Sequence, residues 1–104
     1  MTTDERAVLD ALTGRRSPIT QADLAFGLDM PVRTVQECIE SLRLARYPIV
    51  SGSDGMRLSD DPQEVAACAA ALRRRAITQL LTARSLRRTA RALRTDPTLW
   101  EVAA

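Results

Sequence analysis

Ile19-Thr-Gln-Ala-Asp-Leu-Ala-Phe-Gly-Leu-Asp-Met-Pro-Val-Arg-Thr-Val-Gln-Glu-Cys-Ile-Glu-Ser-Leu-Arg43 is the stretch on which the fold turns. Thr20 is a good helix cap, and Leu24, Ala25 and Leu28 recur at helical spacing behind it. Asp29 holds a tight turn, and a further helix runs from about Pro31 or Val32 to Ala45. Val35, Ile39 and Leu42 make the buried stripe of that helix, which leaves Arg33, Thr34, Gln36 and Glu37 pointing outward. A helix anchored along one side and bare over its first turns presents those turns to a groove.

On the N-terminal side, Thr2-Thr-Asp-Glu5 has the form of a capping box, with the Glu5 carboxylate returning to the cap amide. Val8, Leu9, Ala11 and Leu12 follow as one apolar stripe, and Gly14 closes that helix. Arg15-Arg-Ser-Pro18 is a loop. On the C-terminal side, Tyr47-Pro-Ile-Val-Ser51 changes character to β-branched residues with a proline at the edge. Gly52-Ser-Asp-Gly55 supplies turn chemistry and Met56-Arg-Leu58 a return strand, so a small β-hairpin is expected.

Three helices followed by a hairpin resemble the winged helix-turn-helix family, in particular the N-terminal DNA-binding modules of the biotin-operon repressor and related regulators. The likeness covers roughly residues 4–60 and is carried by Ile19-Thr20, Leu24-Ala25, Leu28, Arg33-Thr-Val-Gln36, Ile39, Leu42-Arg43, Tyr47-Pro-Ile-Val-Ser51 and Gly55-Met-Arg-Leu58. Four residues depart from the pattern. Asp29 and Arg46 stand where such turns carry glycine, Pro31 replaces a Ser or Thr cap, and Glu37 replaces a frequent Arg, which weakens attraction to phosphate. Asp visits the left-handed region more readily than most residues. The ligase part of the biotin repressor has no counterpart here, so the resemblance implies no enzymatic activity.

Beyond the hairpin, Asp61-Pro-Gln-Glu64 is a second strong helix start, with Asp61 as cap and Glu64 placed for a reciprocal bond. From there to about Thr95 no Gly or Pro intervenes, and nine Ala favour helix. Such a helix reaches about 50 Å, against about 20–25 Å for a 60-residue domain. Its apolar seam reads Val65, Ala69, Leu72, Ala76, Leu80 (or Gln79), Ala83, Leu86, Ala90 and Leu93, at alternating spacings of three and four. A second copy is the simplest partner for that seam, giving a two-fold dimer. Asp96-Pro97 ends the helix and is placed to cap a last turn carrying Leu99, Trp100 and Val102. The expected organisation is a domain over 1–60, a dimerisation arm over 61–95 and a tail over 96–104. The fold class is mainly α with a small β-hairpin, a winged helix-turn-helix followed by a long C-terminal helix.

Composition narrows the chemistry. Aromatics are only 3% of the 104 residues, so the core must be aliphatic and alanine-rich. There is no histidine, which removes the commonest general base, and all fifteen basic residues are Arg, which removes Schiff-base and P-loop lysine chemistry. Cys38 and Cys68, 30 residues apart and without histidine, do not make a usual zinc site and read as buried, reduced thiols, with a disulfide or redox role as the alternative. No catalytic residue, metal, cofactor or small-molecule effector is expected. The start lacks the charged and apolar stretches of a secretory signal, and no apolar run approaches a bilayer span. A soluble cytoplasmic protein is the expectation.

Charge is unevenly placed. Residues 1–64 carry seven Arg against eleven acids, a balance of −4; residues 65–104 carry eight Arg against two acids, a balance of +6. All eight lie between Arg73 and Arg94 with no acid among them. They fit a solvated face, a phosphate-contacting face or a face for an acidic protein.

What the resemblance implies is sequence-specific binding of double-stranded DNA by a small bacterial or phage transcriptional regulator acting as a dimer. Arg33, Thr34, Gln36 and Glu37 would meet base edges. Thr20, Gln21, Arg43, Arg15 and Arg16 would lie towards phosphates, and Ser51, Ser53 and Arg57 of the wing along the adjacent backbone or minor groove. The rival expectation is an assembly module that binds protein and does not read DNA, supported by the acidic balance of residues 1–64.

Overall fold

The computed structural model describes residues 1–99 and 101. It contains α1 (Thr3–Leu12), α2 (Gln21–Leu28), α3 (Val32–Leu44), β1 (Ile49–Gly52), β2 (Gly55–Leu58) and α4 (Pro62–Thr95) in that order. Among the described residues the chain is mainly helical, with one antiparallel hairpin followed by a long helix. Its contacts divide it into two units, Met1–Cys68 and Ala69–Ala104. Among the described residues no helix is long and apolar enough to cross a membrane.

Local chemistry sets each boundary in the first unit. The Thr2 hydroxyl accepts from the Glu5 amide (3.1 Å) while the Glu5 carboxylate accepts from the Thr2 amide (3.0 Å), so the capping box is complete. Those bonds hold the Glu5 carboxyl below its ordinary range. The helix stops at Thr13, and Gly14 takes a φ of +77°. Thr20 caps α2 by accepting from the Asp23 amide at 3.1 Å. Asp29 then adopts φ 51°, ψ 50°, and the Met30 amide reaches back to the Ala25 carbonyl at 3.1 Å. That left-handed residue reverses the chain between α2 and α3. Arg46, with φ 74°, repeats the device after α3, where the Tyr47 amide reaches the Leu42 carbonyl at 3.0 Å.

The core is aliphatic, as a chain so poor in aromatics requires. Val8, Leu12, Leu24, Val35 and Leu42 are its largest fully enclosed side chains, and Leu9, Ala25, Cys38, Ile39, Ile49 and Met56 complete it. In the hairpin, Ile49 pairs with Leu58 and Gly52 with Gly55, which leaves Ser53-Asp54 as a two-residue loop. Ile19 adds a single bridge on the outer side of β2: its amide donates to the Met56 carbonyl at 3.0 Å and its carbonyl accepts from the Met56 amide at 2.8 Å. Gly55 makes this approach possible. Its φ is +125°, and a Cβ there would lie 2.5 Å from the Ile19 carbonyl carbon and oxygen.

The start of α4 differs in one respect from the sequence expectation. Asp61 does cap, accepting from the Gln63 amide at 3.0 Å. Glu64, however, does not return to Asp61. Its carboxylate takes the Arg57 guanidinium and the Ser59 hydroxyl (3.1 Å), and Ser59 accepts from the Asp61 amide at 3.2 Å. A charged donor outcompetes a backbone amide for the same carboxylate.

The second unit continues α4 from Ala69 and, past Thr95, enters a short turn. The Asp96 carboxylate accepts from the Thr98 amide (3.1 Å) and hydroxyl (2.8 Å), and the Leu99 amide donates to the Asp96 carbonyl. Of the last-turn residues expected from sequence, Trp100 and Val102 lie outside the described residues.

Candidate nucleic-acid interface

The site builds outward from the buried face of α3. Val35, Cys38, Ile39 and Leu42 are buried, so the residues between them must face away. Arg33, Gln36 and Glu37 are exposed and Thr34 is half-buried. No side chain caps the α3 N-terminus, because Pro31 has no oxygen to offer. Its first amide donors and its positive dipole end are therefore open to a negatively charged group.

Gln36 and Gln21 come together: the Gln36 side-chain amide donates to the Gln21 carbonyl oxygen at 3.0 Å. This joins the first turn of α2 to the exposed face of α3. The Thr20 hydroxyl accepts from Asp23 as the α2 cap, which leaves its own O–H free to donate. The Arg33 guanidinium donates to the Glu37 carboxylate at 3.3 Å, with both side chains largely exposed. An exposed pair one helical turn apart contributes only about 0.3–0.5 kcal/mol, so it holds Arg33 weakly.

Two of the expected cation contacts are engaged inside the unit. Arg43 donates to the Ile49 carbonyl (2.9 Å) and the Ser51 hydroxyl (3.2 Å), and lies 4.0 Å from the Cys68 sulfur. It ties α3 to β1. Arg57 is half-buried and paired with Glu64, which raises the guanidinium pKa and holds the carboxyl below its ordinary range. Ser53, in the hairpin loop, and Arg15 and Arg16, in the loop after α1, are exposed, and neither Arg makes an ion pair among the described residues.

On the other flank of α3, Asp4, Glu5 and Glu37 share a groove with Thr2, Thr34, Cys38 and Ser41. Burial, and then the charges of Asp4, Glu5 and Glu37, push the Cys38 thiol up, so it is held protonated. Both cysteines are free thiols. No group of three or more Cys, Asp or Glu side chains suited to a metal is assembled among the described residues.

Sequence reasoning passed over Phe26. It is 90% exposed at the end of α2, beside Met30, Pro31 and Val32 in a shallow apolar depression. The signal was present: Phe26 falls off the inward stripe of Leu24, Ala25 and Leu28. Along α4 the seam residues from Ala69 to Ala90 are exposed in the single chain, Leu80 at 70% and Leu86 at 64%, while Val65 and Leu93 are half-buried. Ile77 and Leu81, also exposed, were not part of the expected seam.

Comparison of the chain with protein-family models gives no match, and comparison with curated protein sequences gives none either.

Proposed function

We propose that the chain is a sequence-specific double-stranded DNA-binding protein, a winged helix-turn-helix regulator that acts as a dimer. The observation that carries this reading is the exposed first half of α3. Arg33, Gln36 and the uncapped helix start face outward beside Gln21 and Thr20, while the opposite side of the same helix is fully anchored. A helix held so rigidly can set three or four side chains against base edges, and α2 then lies across the backbone. Ser51, Ser53 and the hairpin act as the wing, with the β1–β2 edge fixed by Arg43 and the Ile19 bridge. Arg43 and Arg57 serve this surface mainly by holding the wing, because the Arg43 guanidinium is taken up by the Ile49 carbonyl and Ser51 hydroxyl and the Arg57 charge by Glu64.

The test is a mobility-shift selection from random duplexes followed by titration of Arg33→Ala. The substitution is expected to weaken the selected site by about 1–3 kcal/mol and to relax preference at one base position. Equal losses on selected and random duplex would make Arg33 a phosphate contact, and absence of binding by the unsubstituted protein would overturn the reading.

One observation favours a second reading, an assembly module without direct DNA reading. Phe26 stands in water next to Val32, on a unit whose acids outnumber its cations. In that case Phe26→Ser would abolish capture of a partner protein and duplex DNA would not bind.

A further inference from the structure

The second unit carries a stricter pattern than an apolar stripe. Ala69, Ala76, Ala83 and Ala90 recur every seven residues, and Leu72, Gln79, Leu86 and Leu93 recur every seven on the neighbouring row. One row of the seam is thus small throughout and the other large. We infer that α4 pairs with α4 of a second copy in antiparallel orientation, with Ala69 opposite Leu86, Leu72 opposite Ala83 and Ala76 opposite Gln79. This rests on the reading of α4 as a dimer arm and adds its orientation and register.

Packing chooses the orientation. In a parallel pair each row faces itself, so all-Ala layers alternate with all-large layers. The large layers then hold the helices apart and leave voids at the small ones. Antiparallel, every layer holds one small and one large side chain, and the helices approach evenly along their length.

Charge chooses the register. In antiparallel pairs, the residues flanking the seam face their own kind across it. In the register given, Arg73 faces Leu80 of the second copy and Arg75 faces Thr82. Sliding by one heptad one way brings Arg73 against Arg87; sliding the other way brings Arg73 against Arg73 and Arg75 against Arg75. Each such pair is repulsive. The facing Leu80, 70% exposed in the single chain, is covered by the stem of Arg73 from the other copy. Thr82 and Thr89 also fit a flank position, since their hydroxyls are satisfied by the Thr78 and Ser85 carbonyls. Ile77 and Leu81 lie on the far side and take no part.

The full-length chain supplies its own probe. In this register Cys68 of one copy flanks residue 89 of the other, whereas within one chain these positions stand about 31 Å apart along the helix. With Cys38 changed to Ala throughout, a short bis-maleimide is expected to link Thr89→Cys into a covalent dimer, and to leave both the Cys38→Ala parent and Thr89→Cys/Cys68→Ala unlinked. Linking of either of the latter two would show like positions together and overturn the arrangement. Ala83→Leu sets a second large residue against Leu72 and is expected to raise the dimer dissociation constant by about tenfold or more in sedimentation. A tightened dimer would mean that position 83 faces itself, and overturns the proposal. Because no acid lies among the eight Arg, added salt should tighten the dimer, the opposite of its effect on DNA binding. An unsubstituted protein that is monomeric at tens of micromolar would overturn the dimer reading itself. A dimer with the wrong cross-links overturns only orientation and register, and neither readout depends on DNA.

Discussion

Gly55→Ala perturbs the first unit at the point where its chain segments come closest. The new Cβ would stand 2.5 Å from the Ile19 carbonyl carbon and oxygen and 2.8 Å from the Thr20 nitrogen. That is roughly 1 Å short of ordinary contact, and the neighbours are backbone, which cannot rotate away. The φ of +125° adds a strain of about 1–3 kcal/mol for any side chain. Relief requires β2 to draw away from Ile19, which stretches the two bonds between Ile19 and Met56, each contributing about 0.5–1.5 kcal/mol. A net loss of about 2–5 kcal/mol follows, after allowing for the smaller entropy of the unfolded alanine chain. A unit of this size has about 3–10 kcal/mol in total, so the variant should be close to unfolding. Gly52→Ala is the control. It lies across the hairpin from Gly55 with nothing within 4 Å of its Cβ position and no positive φ. Urea titrations followed by circular dichroism should place Gly52→Ala within about 0.5 kcal/mol of the parent. Equal stability of the two variants would refute the steric argument.

Arg46→Gly should stabilise by about 0.5–1 kcal/mol in the same titration, because an exposed Arg holds φ 74° without a side-chain hydrogen bond to compensate; a loss would mean its side chain contributes more than its backbone costs. Glu64→Gln should destabilise at neutral pH, where the carboxylate serves Arg57 and Ser59. Since the folded pKa lies below the ordinary 4.5, that contribution is full above this value and fades as pH falls through and beneath it, so parent and variant should converge in acid; a gap independent of pH would refute the assignment. If the Arg face of α4 contacts phosphate in the proposed DNA complex, changing Arg84, Arg87, Arg88 and Arg91 to Gln should flatten the slope of log affinity against log salt by up to about 0.9 per lost contact, with sequence preference kept. An unaltered slope with an intact dimer would remove those residues from the DNA interface.

What the sequence made legible is what depends on neighbours in the chain. The Thr2–Glu5 box, the Thr20 cap, the left-handed Asp29 and the α3 stripe all follow from spacing within one or two turns. Arg43 and Arg57 were harder, because their partners are fixed by how the hairpin folds back on α3 and on the start of α4. A free cation and an engaged one look alike in sequence. Glu64 was placed for a local bond and found a tertiary one for the same reason. The exposure of Phe26, by contrast, was open to reading, because it falls off the Leu24, Ala25 and Leu28 stripe.

The Ile19–Met56 bridge also has a kinetic side. It closes a loop 37 residues around, and α2, the turn and α3 all lie inside that loop. Closing the clasp costs less entropy once both helices have condensed, and once shut it discourages either from fraying alone. The Ile19 and Met56 amides should therefore exchange with deuterium at the rate of α2 and α3, as one cooperative block, and not at the faster rate usual for a short surface hairpin.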